Sequence, residues 1–264
     1  MCAVARRLLR ALVGVVAVWL ALAYLILPAL WSHYEHNAKL EQSPRITRTA
    51  DGSPGDPLNV GLVATDAELH GALAAAGWRV AAGLGLKSDL EIAGSVVLDR
   101  PDPTAPVSDL FLFGRKQDFA FEKEAGESAK QRHHVRFWRW DEAGVADRPL
   151  WIGSATFDTS VGLSHRTGQI THHIAADIDA DRDALIAGLA AAGQLAREYL
   201  VTGVGETLFG RNGGGDRYFS DGELKVGVVS PENRLLSQEP EILEFPPTVA
   251  LKRWLFSGLR PLLD

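Results

Sequence analysis

At 264 residues, 46% of them apolar and 23% charged, the chain can bury one sizeable core and is excluded from the disordered class. Its formal net charge of −6 argues against a nucleic-acid partner, and its single cysteine, Cys2, excludes intrachain disulfides.

The first expected element is N-terminal. Arg6, Arg7 and Arg10 precede a charge-free, almost wholly apolar run from Ala11 to Trp31. At about 1.5 Å per residue, such a run crosses a hydrocarbon core of roughly 30 Å as one helix. The arginines place the N-terminus in the cytoplasm, and Trp31 and Tyr34 fall at the far interface. The expectation is a single-pass protein of the inner (plasma) membrane, partnered with the bilayer through residues 11–31, with its soluble domain on the extracytoplasmic side. Ala21-Leu22-Ala23 also fits a signal-peptide cleavage site, the competing reading, but Leu25, Ile26, Leu27, Ala29 and Leu30 prolong the run and favour an uncleaved anchor. Residues 1–35 are assigned to this stub and anchor.

Residues 36–57 contain Gln42-Ser43-Pro44 and Asp51-Gly52-Ser53-Pro54-Gly55-Asp56-Pro57, a turn-rich composition that reads as a linker. A domain over residues 58–230 follows. Asn59 to Val63 reads as a strand, and Thr65-Asp66-Ala67-Glu68 as a capping box opening a helix that runs to Ala76 and stops at Gly77. A second box, Ser88-Asp89-Leu90-Glu91, predicts another helix, closed by the prolines between Asp99 and Pro106.

Short aromatic-rich runs then predict strands at Leu110–Phe113, Phe119–Phe121, Val135–Trp138 and Trp151–Phe157. The polar stretch from Asp141 to Pro149 joins two of them as a hairpin, so the pairing is antiparallel. Asp179, Asp181 and Asp183 ahead of Leu185, Ile186 and Leu189 give an acidic first turn and an apolar face, the mark of a third helix. The fold class is α+β, a largely antiparallel sheet with packed helices, preceded by one N-terminal transmembrane helix.

Five of the eight histidines fall between residues 133 and 173, including the pairs His133-His134 and His172-His173. They lie in or near four segments: Phe113-Gly114-Arg115-Lys116-Gln117-Asp118-Phe119-Ala120-Phe121, Arg132-His133-His134-Val135-Arg136-Phe137-Trp138, Ala155-Thr156-Phe157-Asp158 and Gly168-Gln169-Ile170-Thr171-His172-His173-Ile174. In this order and spacing the segments resemble the LssY C-terminal domain family of bacteria, over roughly residues 58–205. The resemblance implies work at the cell envelope by a domain without a settled activity, and it carries over no catalytic residues. A phosphatidic-acid phosphatase pattern is not met: His165 stands where that pattern has serine, and Asp177 comes one residue late.

Successive strand residues point to opposite faces, so each histidine pair supplies at most one member of a shared site. A metal site would draw on His133 or His134, on His172 or His173, and on His165, with Asp158 or Asp177 as a fourth ligand; the candidate set is His134, His165, His172 and Asp158, ligands suited to zinc, which lowers the pKa of bound water to about 7. The blander reading leaves these histidines as half-buried strand residues bonded to backbone or carboxylates. Arg115, Arg136, Arg166 and Arg211 are candidates for binding an anion, together with the turn Arg211-Asn212-Gly213-Gly214-Gly215-Asp216, though that run matches no P-loop. No serine stands in a nucleophile-elbow motif.

The tail, residues 231–264, carries Leu251, Trp254, Leu255 and Leu262 on one predicted helical side, with Lys252, Arg253 and Arg260 nearby. Such a helix packs on the domain or a partner, or lies in a membrane interface. The leading expectation is a membrane-anchored extracytoplasmic domain that binds or helps process a phosphate-bearing envelope component, an envelope lipid or membrane protein being its partner. The alternatives are a metal-dependent hydrolase using the histidines and a structural scaffold.

Overall fold

The computed structural model describes residues 3–27, 43–81, 109–125, 131–145, 148–166, 168, 170–202, 205, 208–230, 236, 240–243 and 247–263. The chain forms two compact units, Met1–Ala38 and Lys39–Asp264. In the first, helix α1 (Ala3–Ala21) runs on through a π-helical turn at Leu22–Ile26. The 23-residue stretch Val4–Ile26 is long and apolar enough to cross a membrane, and none of its most apolar window is buried. A helix apolar all round and unburied has no core to serve, which suits lipid. Trp31, Tyr34 and the predicted helix after Ser88 lie outside the described residues.

The second unit is built on one large sheet. Its strands are β3 (Val60–Val63), β4 (Arg79–Val80), β7 (Phe119–Glu124), β8 (Arg132–Val145), β9 (Arg148–Leu163), β10 (Ile170–Ile174), β11 (Leu195–Thr202), β14 (Glu223–Val229) and β15 (Glu241–Ile242). They run in the order β15-β11-β14-β3-β9-β8-β7-β4, with β10 added beside β9. Every pairing is antiparallel except β11–β15 and β14–β3. The predicted hairpin is present, but its strands extend to Val145 and Arg148. β9 is long enough to pair β3 through Leu150–Gly153 and β10 through Asp158–Leu163.

Helix α2 (Asp66–Ala75) starts at the predicted capping box, with Glu68 N donating to Thr65 Oγ1 and Thr65 N to Glu68. Helix α3 (Ile178–Ala191) is capped by Asp177, which accepts from Ala180 N. Both helices contribute to the core on one face of the sheet: Leu69 and Leu73, Leu185, Ile186 and Leu189 join Val60, Leu62, Val135, Phe137 and Trp151. Each such burial contributes roughly 1.5–3 kcal/mol. The other face carries a second cluster in which Trp138, Ile152, Leu224 and Val226 meet Leu110 and Leu112.

Residues 46–57, expected as linker, instead include strands β1 (Ile46–Arg48) and β2 (Pro54–Pro57). With β5 (Phe111–Leu112) and β6 (Arg115–Lys116) they form a small sheet ordered β2-β1-β5-β6. The turn residues Asp51-Gly52-Ser53 are the tip of this hairpin, and Thr47 Oγ1 donates to Asp56 O across it at 2.7 Å. A ribbon of β12 (Leu208–Arg211) and β13 (Arg217–Ser220) carries the glycine-rich turn.

Arg182 of α3, 1% exposed, fixes the turn between β13 and β14. Its Nη1 donates to Asp221 at 2.8 Å and to Asp179 at 3.3 Å, and its Nε to Asp183 at 3.1 Å. Helix α4 (Pro247–Leu259) buries Val249 and Phe256 against the domain, sets Lys252 and Arg253 at 3.5 and 3.7 Å from buried Glu223, and leaves Leu251, Trp254, Leu255 and Leu259 exposed. Beyond it, Arg260 Nη2 donates to Asp177 at 2.6 Å.

Candidate functional site

Alternation along β8 separates its histidines. Val135 and Phe137 enter the helix-side core, and His133 on the same face pairs with Asp181 of α3. His134, Arg136 and Trp138 point to the opposite face, where Thr156 and Asp158 of β9 lie alongside. Opposite Asp158 and Ser160 the β9–β10 register shifts, pairing His173 with Ser160 but Ile174 with Asp158 and leaving Thr159 as the extra residue. Such a bulge changes which side chains share a face. His172 thereby joins Asp158, while its neighbour His173 turns away.

Asp158 Oδ2 lies 2.7 Å from His134 Nδ1 and 2.8 Å from His172 Nδ1. The distances are those of hydrogen bonds, but the angles are poor: Asp158 Oδ2 and His172 Nδ1 have no aligned partner, nor does the buried Thr156 Oγ1 beside them. Behind His134, buried Glu122 of β7 lies 3.4 Å from its Nε2 and accepts from Arg132 at 3.1 Å and Arg79 at 2.9 Å. Burial works to raise the Asp158 pKa, yet the His134 charge and the contacts from both imidazoles hold it well below the usual carboxylate range. For His134 burial opposes the charge, but Asp158 and Glu122 outweigh it and raise its pKa.

Asp158, Thr156 and His172 open onto a cavity of about 430 Å³. Its walls are Thr49, Gly55 and Asp56 of the β1–β2 hairpin, Leu110 and Phe111, Arg136, Thr156 and Asp158, Ser164, Thr171 and His172, and Asn212-Gly213-Gly214 of the ribbon turn. The acids here are mostly paired: Arg136 Nη1 lies 3.3 Å from Asp56, and Lys116 2.7 Å from Asp109. Burial also raises the Asp56 pKa, against the pull of Arg136.

The expected residues divide among several places. His172, Asp158 and Arg136 line the cavity, as do Asn212, Gly213 and Gly214, while His134 is buried behind Asp158. His165 does not; its Nε2 lies 3.7 Å from Asp216, on which His173 Nδ1 also sits at 2.7 Å. Arg115 pairs with Asp118 and donates to Arg139 O, Arg166 is exposed, and Arg211 Nη1 donates to Gly215 O at 2.7 Å. The four arginines therefore do not form one pocket, because nearness in sequence to a histidine does not fix which face a side chain takes.

Asp56, Thr156 and Glu122 complete the site without a sequence signal. Asp56 sat in a stretch read as linker, and Thr156 and Glu122 are ordinary strand residues until β8 aligns them with His134. A family model described as the LssY C-terminus matches residues 40–224. No curated protein and no solved structure matches the chain.

Proposed function

The chain belongs to the LssY C-terminus family, and on that premise we propose that its domain binds the phosphate-bearing head of an envelope component, with His172 as the proton-transferring group. The observation that carries this reading is that three residues lining one cavity, Thr156, Asp158 and His172, each keep a buried polar atom without an aligned partner: Oγ1, Oδ2 and Nδ1. Buried polar groups are normally hydrogen-bonded, and exceptions gathered at a cavity mark where a ligand completes the set.

Phosphate suits what surrounds those atoms. Arg136 brings positive charge, shared with Asp56, Ser164 and Thr171 bring hydroxyls, and Gly213 and Gly214 contribute backbone to the wall. Asp158 Oδ2 stands 2.8 Å from His172 Nδ1 without an aligned hydrogen bond, and that ring, 14% exposed, lines the cavity, where a proton can be passed to a bound group. Helix α1 holds the domain at a membrane, and Arg6, Arg7 and Arg10 favour the extracytoplasmic side for everything after it.

Isothermal titration of the full chain in nanodiscs tests the reading. Glycerol 3-phosphate is expected to bind saturably and glycerol not, with Arg136→Met weakening binding roughly tenfold or more, the worth of a charge-assisted contact. Equal binding of both compounds, or of neither, would sink it.

A further inference from the structure

On the side of β10 that carries His173, His165, His173 and Asp216 bring one donor atom each to within 4.8 Å of the others, the group that does so among the described residues. We propose that these three residues bind a divalent transition-metal ion, zinc above all, at a site separate from the cavity. The inference does not rest on the phosphate reading, since His173 and His172 face opposite ways.

Donor chemistry and spacing both fit. Two imidazoles and a carboxylate form a set that zinc accepts, at about 2.0–2.2 Å from each donor. One ion at that range requires donors no more than about 4 Å apart. Asp216 Oδ1 lies 2.7 Å from His173 Nδ1 and 3.7 Å from His165 Nε2, so small side-chain adjustments close the shell. On binding, the ion would displace the proton between His173 and Asp216 to solvent, and both groups would coordinate in their deprotonated forms.

The surroundings hold the donors in place. Asp216 Oδ2 accepts from Ile174 N at 3.2 Å, which leaves Oδ1 for the histidines, and Asp216 N donates to Asn212 Oδ1 at 2.9 Å. His165 N donates to Gly214 O at 2.9 Å, tying the third donor to the same turn. Two glycines clear the space: a Cβ at Gly162 would lie 2.7 Å from His173 Nε2, and one at Gly215, whose φ is +90°, 2.9 Å from His165 Cβ. His165 is 67% exposed, so an ion can enter from solvent and keep an open position. Arg211 and Arg217 line the same shallow depression, and Arg211 spends an N–H on Gly215 O. Positive charge on that rim suits an anion as the ion's remaining ligand.

The test is zinc titration of the chelator-stripped full chain in nanodiscs, read by calorimetry and by elemental analysis after desalting. One zinc per chain is expected. His165→Ala, at an exposed position that leaves the fold intact, and His173→Ala should each weaken binding by roughly tenfold or more, the upper range for losing even an outer partner being about a hundredfold. His172→Ala should leave it unchanged. No uptake by the wild type, uptake indifferent to His165→Ala and His173→Ala, or uptake lost only with His172→Ala would each overturn the site.

Discussion

Two clusters of buried charge in this domain use the same kinds of residue and differ in how their polar atoms are satisfied. Around Arg182, all three guanidinium nitrogens donate to carboxylates or to the Glu223 carbonyl, and Asp179 in turn accepts from Ser220 Oγ and Asp221 N. Around Asp158, the nitrogens are equally close but misaligned, and the residues that carry the unpartnered atoms line a cavity. The first joins α3 to the β13–β14 turn, and its guanidinium has no N–H left to offer a ligand. The second has capacity to spare. Buried charge alone therefore does not mark a site; unused hydrogen-bonding capacity on residues that line a cavity does.

The comparison can be broken most severely at Arg182. Arg182→Ala leaves Asp179 and Asp221 buried together, and Asp179, whose pKa burial already pushes up to about 6, loses the charge that opposes that rise. The expected cost is about 3–5 kcal/mol in urea denaturation of the full chain. A loss under about 1 kcal/mol would mean the cluster is not structural.

Asp158→Asn should cost less, about 1–2 kcal/mol, because imidazoles left behind can shed a proton where a guanidinium cannot. Glycerol 3-phosphate binding should nonetheless fall roughly tenfold or more. A cost matching that of Arg182→Ala, with binding intact, would erase the distinction between the two clusters.

The pH dependence sharpens the contrast. His134 has a pKa raised from 6.5, so the stability its charge contributes is fully present below pH 6.5 and lost as pH rises through the raised value. Asp158, depressed from 3.8, contributes stability present above that pH and lost as pH falls through its folded value. The pair is thus at full strength between pH 3.8 and 6.5. Thermal melts of the wild type should decline above pH 6.5 more steeply than those of His134→Gln. Parallel slopes would show that the ion pair contributes nothing.

The smallest stability effect is expected at His172. Its ring reaches the cavity, and His172→Ala should change stability by no more than about 1 kcal/mol while abolishing measurable phosphate binding. Strong destabilisation without loss of binding would make His172 a structural residue.

Much of the frame is legible in the sequence because local rules decide it. The apolar run after Arg10, the Thr65–Glu68 capping box and the alternating aromatic strands each carry their own signal, and all three appear in the structure. Alternation also separates the members of each histidine pair. The rest depends on tertiary pairing. The β1–β2 hairpin holds through contacts to β5, so its Pro- and Gly-rich sequence reads as linker. The bulge at Thr159 decides that His172 rather than His173 meets Asp158, and no residue nearby announces it.

Imidazole nitrogen NMR of the full chain during titration with glycerol 3-phosphate tests the central claim most directly, because His172 and His173 are adjacent in sequence and face opposite sides of one strand. The account predicts that the His172 resonances move with saturation while those of His173 stay in place. Movement of His173 alone, or of neither ring, would contradict it.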